Sequence, residues 1–465
     1  MPTKFVQYDK WPTTVYLGAD VTVFDGDKVG VWNGACYARQ AAWTNNDMNA
    51  LVGQNGVPVP VSGAGIYPLG QMSAAYRARL SAGNPRTEAG ITNSAVAFGG
   101  TPTTGELGYA NASIVTTGWT RFNIANGGSC TWPATRPLLI EGADVERNDP
   151  MFRSLTYLVG GVTRVSGAWR ARFATTAAEI AVRALGSGNV YNLNVDGRRA
   201  SVGCTNAAGG GLQYFSLNLR GLSSGWHEVE FLLQQDQALA EILVPSTSLV
   251  LTPGRKPVIA WFNDSLGNSV ASGSSVVQFD CFPHVVGDYL GAESRVFAGG
   301  GTGYETASTS ETFQSRIALA AARLTAAGVS PAVVVFAGGI NDGAGTAGLQ
   351  AAVQATIAAA QAQWPTARIV VVGSWASNNS GSQSNQVTCE GKISAAATAA
   401  GVSFVPVMTD PSGAWISGTG NVSSPTGVGT ADVLFNSADG THWNAAGHGL
   451  LGAQLAHGIA KLIGL

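Results

Sequence analysis

Between residues 257 and 408 the chain carries five apolar runs, over 257–262, 295–298, 332–337, 368–373 and 403–408. Val258-Ile259-Ala260-Trp261-Phe262 is typical: no polar residue alternates with the apolar ones. A strand of that kind must be covered on both faces, which is the condition of a parallel sheet. Parallel neighbours need long crossovers, and helices supply them. Ser308-x-x-Glu311 reads as a capping box opening a helix that runs to about Ala326. Leu349 to Gln363 is rich in Ala and Gln and stops at Trp364-Pro365. A last helix is expected from about Asn444 to Leu462. Residues 253–465 therefore predict a doubly wound α/β domain of three layers.

The preceding segment has a different period. Phe215, Leu217 and Leu219 alternate with Ser216 and Asn218, and His227, Val229 and Phe231 with Glu228 and Glu230. Tyr191, Leu193 and Val195 lead into the hairpin signal Asp196-Gly197. Residues 151–252 thus predict an antiparallel β-sandwich or jelly roll with one wet face. Residues 1–150 hold scattered Gly, Pro and Trp, short β-like runs and a helix-like stretch near Gln71–Leu80, and read as a further β-rich region.

Charge narrows the partners. Only 12% of residues are charged, the net charge is −2 and no basic patch stands out, which excludes nucleic acid as an expected partner. No run reaches the roughly 18 apolar residues of a membrane span. The first ten residues lack the apolar stretch of about 7–15 residues that a secretory signal needs. A low-charge chain with 61 glycines suits β-rich extracellular or virion-associated proteins. A second copy of the chain or a virion component is then a candidate partner. Cys36, Cys130, Cys204, Cys281 and Cys389 lie far apart without zinc spacing and read as buried free thiols.

The chemistry-bearing residues follow the strands. Asn263-Asp264-Ser265-Leu266 comes after the first run, Gly299-Gly300-Gly301-Thr302-Gly303 after the second, and Gly339-Ile340-Asn341-Asp342 after the third. Asp439-Gly440-Thr441-His442 follows the fifth after a long polar loop. All fall on the carboxyl edge of the sheet, where open α/β folds bind ligands. A serine hydroxyl needs a base, and His442 can serve, oriented by Asp439. A tetrahedral oxyanion needs preplaced donors. The Ser265 N–H, a glycine N–H of the second loop and the Asn341 amide would supply them. This chemistry requires no metal and no cofactor.

These blocks resemble the SGNH or GDSL hydrolase family. The first block, G-D-S-L, stands here as Asn263-Asp264-Ser265-Leu266; the third and fifth are intact as Gly339–Asp342 and Asp439–His442. Asn444 and Gly447 match the H-x-N-x-x-G tail, and the second-block glycine best matches Gly303, with Gly301 the weaker choice. Two departures stand out: Asn263 replaces a glycine, and the second block lacks the asparagine usual before its glycine. The resemblance implies catalytic Ser265, His442 and Asp439 and an oxyanion hole of Ser265, Gly303 and Asn341. Carbohydrate esterases of the family often carry a jelly-roll module before the hydrolase domain. The expected function is therefore removal of short acyl groups, chiefly acetyl, from a carbohydrate; a phage-tail component acting on surface polysaccharide is the further expectation from composition and architecture. A lipase, thioesterase or acyltransferase of the same fold is the enzymatic rival, and a non-catalytic tail or adhesin protein the other.

Trp375, Trp415 and Trp443 are candidates for sugar-stacking platforms, with core packing as the competing role. Asp264 and Asp342 read as carboxylates bonding loop N–H groups. His284, His448 and His457 read as helix residues and His227 as a strand core residue. Gly221-Leu222-Ser223-Ser224-Gly225 matches the G-x-S-x-G elbow but joins two β runs, so it reads as a hairpin loop.

Overall fold

The computed structural model describes residues 251–267, 278–308, 311–436 and 439–463, and before them separate segments between residues 4 and 250. The helix-like stretch at 71–80 and the side chains of Cys36, Cys130 and Cys204 lie outside the described residues. The chain divides into two compact units, the second consisting mainly of Lys256–Leu465.

In the first unit the strand pairs among the described residues are antiparallel. One sheet includes Trp169–Thr175, Val190–Val195 and His227–Leu233; the other includes Glu179–Leu185, Leu212–Asn218 and Ala238–Pro245. A single apolar core draws Phe173 and Phe231 from the first and Ile180 and Ile242 from the second. Asp196-Gly197 forms the expected two-residue turn, with φ of 52° and 74°. Two expectations are corrected. The face bearing Glu228 and Glu230 is not wet: Arg170 pairs with Glu230 at 2.8 Å, and Arg172 with Glu141 at 2.8 Å and Glu228 at 2.7 Å, all with little exposure. Alternation reports polarity, and polar side chains that satisfy one another can be buried as well as apolar ones. The strands Leu212–Asn218 and His227–Leu233, expected to pair as a hairpin, belong to different sheets.

The second unit is built on five parallel strands: β1 (Val258–Asn263), β2 (Glu293–Ala298), β3 (Pro331–Ala337), β4 (Arg368–Val372) and β5 (Ser403–Val405). Their order is β2-β1-β3-β4-β5. Every residue of β1 is buried, with Ile259 and Trp261 in one core and Ala260 and Phe262 in the other. That two-sided burial is why the strand reads as an unbroken apolar run. Helices α1 (Phe282–Leu290) and α5 (Ala445–Ile463) cover one face, while α2 (Ile317–Ala326), α3 (Leu349–Gln363) and α4 (Ser380–Ala399) cover the other. The chain reverses its direction of travel between β1 and β3, so the crevice at the switch point opens between the loops after them.

Helix α4 does not announce itself in the sequence. Its first half, Ser-Gly-Ser-Gln-Ser-Asn-Gln, shows no apolar stripe. Its start is fixed locally instead, by Asn379 Oδ1 accepting the N–H groups of Gly381 (2.8 Å) and Ser382 (3.2 Å). The start expected for α2 is also corrected. Ser308 and Glu311 exchange backbone hydrogen bonds, and Thr312 and Ser315 cap the turn four residues later.

Candidate active site

Ser265 opens a single 3-10 turn, Ser265–Gly267, directly after β1. Asp264 is buried beneath it, and its Oδ1 accepts the Leu266 N–H at 2.9 Å. Its Oδ2 has no hydrogen-bond partner among the described residues. Burial pushes the Asp264 carboxyl up to about 7, against the Leu266 N–H and the nearby His442 and Arg316, which lower it. A carboxyl raised in this way favours the folded state below the ordinary carboxylate pKa and loses that advantage as pH rises through about 7. The expected result is a stability decline of up to ~4 kcal/mol between about pH 4 and pH 7, absent from Asp264→Asn. Thermal midpoints of the two proteins across that range test it; parallel curves would show that Asp264 does not titrate there.

His442 and Asp439 stand opposite. His442 Nε2 lies 2.9 Å from Ser265 Oγ, and His442 Nδ1 lies 2.7 Å from Asp439 Oδ2. Asp439 Oδ1 accepts the backbone N–H groups of Thr441 (2.8 Å) and His442 (2.9 Å), so the carboxylate folds its own turn. Partial burial raises the Asp439 carboxyl, but these N–H donors and the His442 ring outweigh it and hold Asp439 below the usual carboxylate range. Gly440 has φ of 62°, and Asn378 packs against it while donating its N–H to the Gly440 carbonyl at 2.8 Å. Asn444 Oδ1 accepts the Gly447 N–H at 2.7 Å and so caps α5. A side chain on Gly447 would strike the Leu434 carbonyl. The H-x-N-x-x-G tail is therefore the device that seats the histidine on a helix start.

The second and third loops are stitched together. Asp342 accepts the N–H groups of Tyr304 (2.9 Å), Glu305 (3.1 Å) and Thr306 (2.8 Å). Asn341 donates Nδ2–H to the Thr302 carbonyl at 2.9 Å, which leaves its other amide hydrogen. Arg316, which the sequence did not single out, is buried; it donates to the carbonyls of Asn263 (3.0 Å) and Phe297 (2.8 Å) and to Thr302 Oγ1 (3.0 Å). It ties the ends of β1 and β2 to the glycine loop.

Gly303 does not fit the donor role expected of it. Its N–H is donated to the Thr306 carbonyl at 2.8 Å, and a side chain there would fall on the Asp342 carboxylate. Gly303 is needed for close approach. Gly300 is the loop residue that faces the serine: a Cβ on it would meet Ser265 Cβ at 3.9 Å and nothing nearer. Among the described residues no hydrogen bond of the loop uses the Gly300 N–H. Three adjacent glycines hid which one approaches Ser265.

The tryptophan platforms are also corrected. Trp375 and Trp443 are fully buried and Trp415 is 5% exposed. Trp375 and Trp443 meet edge to face at 4.8 Å, beside Phe282. They fill the core under the site and offer no ring face to a sugar. His448 is buried, its Nδ1 accepting the Phe282 N–H; His457 is exposed on α5; and His284 is buried in α1. His227 pairs with Asp196 at 2.7 Å. Cys281 and Cys389 are buried. Among the described residues no group of three or more His, Cys, Asp or Glu could hold a metal ion, and no helix is long and apolar enough to cross a membrane.

The sequence pattern of the GDSL-like Lipase/Acylhydrolase family matches residues 265–450. This segment belongs to that family. The match begins on Ser265 and encloses Asn341, Asp439 and His442, so the family's segment holds all four. Solved structures similar to this chain include a family two carbohydrate esterase from Cellvibrio japonicus, at 13% identity and a TM-score of 0.46 over 74% of this chain and 98% of that one. An acetyl xylan esterase (Est2A) from the rumen bacterium Butyrivibrio proteoclasticus gives 13% identity and 0.47, over 74% and 99%. A salicylyl-acyltransferase, SsfX3, from a tetracycline biosynthetic pathway gives 16% and 0.47, over 73% and 98%. No curated protein matches the sequence.

Proposed function

We propose that the hydrolase is a serine esterase that removes short acyl groups, acetyl first among them, from the hydroxyls of a carbohydrate. The observation that carries the reading is the hydrogen-bonded chain from Asp439 through His442 to Ser265 Oγ, at 2.7 and 2.9 Å. In this reading Ser265 Oγ attacks the ester carbonyl carbon as its proton passes to His442 Nε2. The C–O π pair moves onto the oxygen, which the N–H groups of Ser265 and Gly300 and the free Asn341 amide hydrogen stabilise. Collapse breaks the bond to the alcohol, which leaves with the proton from His442. Water then attacks the acyl-enzyme by the same route and frees the acid and Ser265.

Access to water favours hydrolysis over transfer. The His442 and Asp439 side chains are 19% and 24% exposed, whereas an acyltransferase must keep water from its acyl-enzyme. The carbohydrate and the jelly-roll character of the preceding β-rich unit, read as a carbohydrate-binding module, rest on the family resemblance. A virion-associated role on acetylated surface polysaccharide rests on the low charge and the β-rich composition.

A series of p-nitrophenyl esters tests the acyl group. Activity is expected to be highest on acetate and to fall about tenfold or more by octanoate; an optimum at octanoate or beyond would make the hydrolase a lipase. Fluorophosphonate labelling tests catalysis itself. A covalent adduct is expected on Ser265, and an unmodified Ser265 would make the domain a binding module.

A further inference from the structure

The first block departs from the family at Asn263, and Asn263 and Asp264 lie just before the matched segment 265–450. Asn263 is the last residue of β1, without the positive φ that a turn glycine would supply. It continues the face of Ile259 and Trp261 and is fully buried. Its backbone is fully used: the carbonyl accepts the Gly299 N–H at 3.0 Å and Arg316 Nη1 at 3.0 Å. Its side chain is not: Oδ1 and Nδ2 are both buried without a hydrogen-bond partner among the described residues. A buried amide without partners costs stability. Such a cost persists where function uses the residue.

The amide's position says what that use is. A Cβ on Gly267 would fall inside the Asn263 amide. The Asn263 side chain therefore fills the space that a side chain at residue 267 would take. The turn between them is lightly held, by Asp264 Oδ1 to Leu266 N–H at 2.9 Å and a longer bond from Gly267 N–H to the Asp264 carbonyl at 3.3 Å. A glycine at 267 adds backbone freedom that this turn would otherwise express. Ser265 sits inside it and must keep its Oγ 2.9 Å from His442 Nε2.

We infer that Asn263 is a positioning residue for the nucleophile, matched to Gly267: its amide packs over Gly267 and fixes the turn that presents Ser265 Oγ to His442. The larger Asn263 stands where the first block has a glycine, and a glycine stands opposite its amide two residues beyond the serine. The inference rests on Ser265 being the nucleophile.

A double-mutant cycle with Asn263→Gly and Gly267→Ala tests it. The readouts are the fluorophosphonate labelling rate, kcat per labelled site on p-nitrophenyl acetate, KM and the thermal midpoint. Asn263→Gly is expected to lower kcat per site about tenfold with KM unchanged. A purely structural role would lower the number of labelled sites and leave the rate at each intact. Gly267→Ala is expected to cost about 100-fold, the effect of a displaced reacting group. The double variant should recover at least about tenfold over Gly267→Ala. Equal costs of Gly267→Ala in both backgrounds, or an unchanged rate at Ser265 in Asn263→Gly, would overturn the pairing. If Gly267→Ala does not fold, a double variant that folds and labels supports the pair, and one that does not fold overturns it. Ser265→Ala separates the two readings: if it stays active the nucleophile is misassigned, and if it is inactive while the cycle is additive only the pairing fails.

Discussion

Ser265→Ala is expected to lower kcat on p-nitrophenyl acetate by about 10⁵-fold or more while leaving the fold unchanged. In the proposed mechanism the hydroxyl oxygen is the atom that bonds to the acyl carbon, and no neighbouring group can replace it. His442 would be left to activate water, and the oxyanion donors would supply the residual rate above the uncatalysed reaction. Stability should stay within about 0.5 kcal/mol of the parent, because the Ser265 hydroxyl is bonded to His442 at the site's partly exposed edge and not within the core. Steady-state kinetics with a thermal melt decide it. Activity within tenfold of the parent, in protein shown free of contaminating esterase, would move the nucleophile elsewhere.

Asp439→Asn should cost about 10⁴-fold in kcat. Asp439 Oδ2 accepts the His442 Nδ1–H, which keeps Nε2 unprotonated toward Ser265. An asparagine amide placed there donates to Nδ1, so the neutral ring carries its hydrogen on Nε2 and cannot take the serine proton. Its Oδ1 can still accept the N–H groups of Thr441 and His442, so the turn survives and the effect is on tautomer and charge. The substitution is therefore cleaner than Asp439→Ala, which would also release the turn. The sign of the pH dependence follows from the lowered pKa of Asp439. Its ionised form is present above the ordinary carboxylate range and is lost only as pH falls through a value below that range. Acid inactivation of the parent above about pH 4 would thus not report protonation of Asp439. A pH–rate profile of both proteins checks this, and a variant within about tenfold of the parent would show that the histidine needs no carboxylate.

Much of this centre is legible before any coordinates. The five apolar runs must be covered on both sides, and that condition leads to parallel strands and crossover helices. The order of motifs after those strands brings Ser265, Asn341, Asp439 and His442 to one sheet edge. Other features have no periodic trace. Helix α4 begins with a cap at Asn379 and a polar first half, so no apolar stripe marks it. Arg316 carries no motif, because its role is to bond backbone carbonyls that come together only in three dimensions.

What the sequence determined by itself is the kind of sheet and the residues carried to its carboxyl edge, because burial and strand connection act through the order of residues along the chain. What only the tertiary structure decided is how each residue is used. Gly303 loses its N–H to Thr306 and Gly300 faces the serine; Trp375, Trp415 and Trp443 turn into the core; Asn263 fills the space over Gly267. The physical reason is the same in each case. Hydrogen bonding and close packing are settled between groups distant in sequence or crowded into one turn, at tolerances below an ångström, and a motif records residue types without recording those distances.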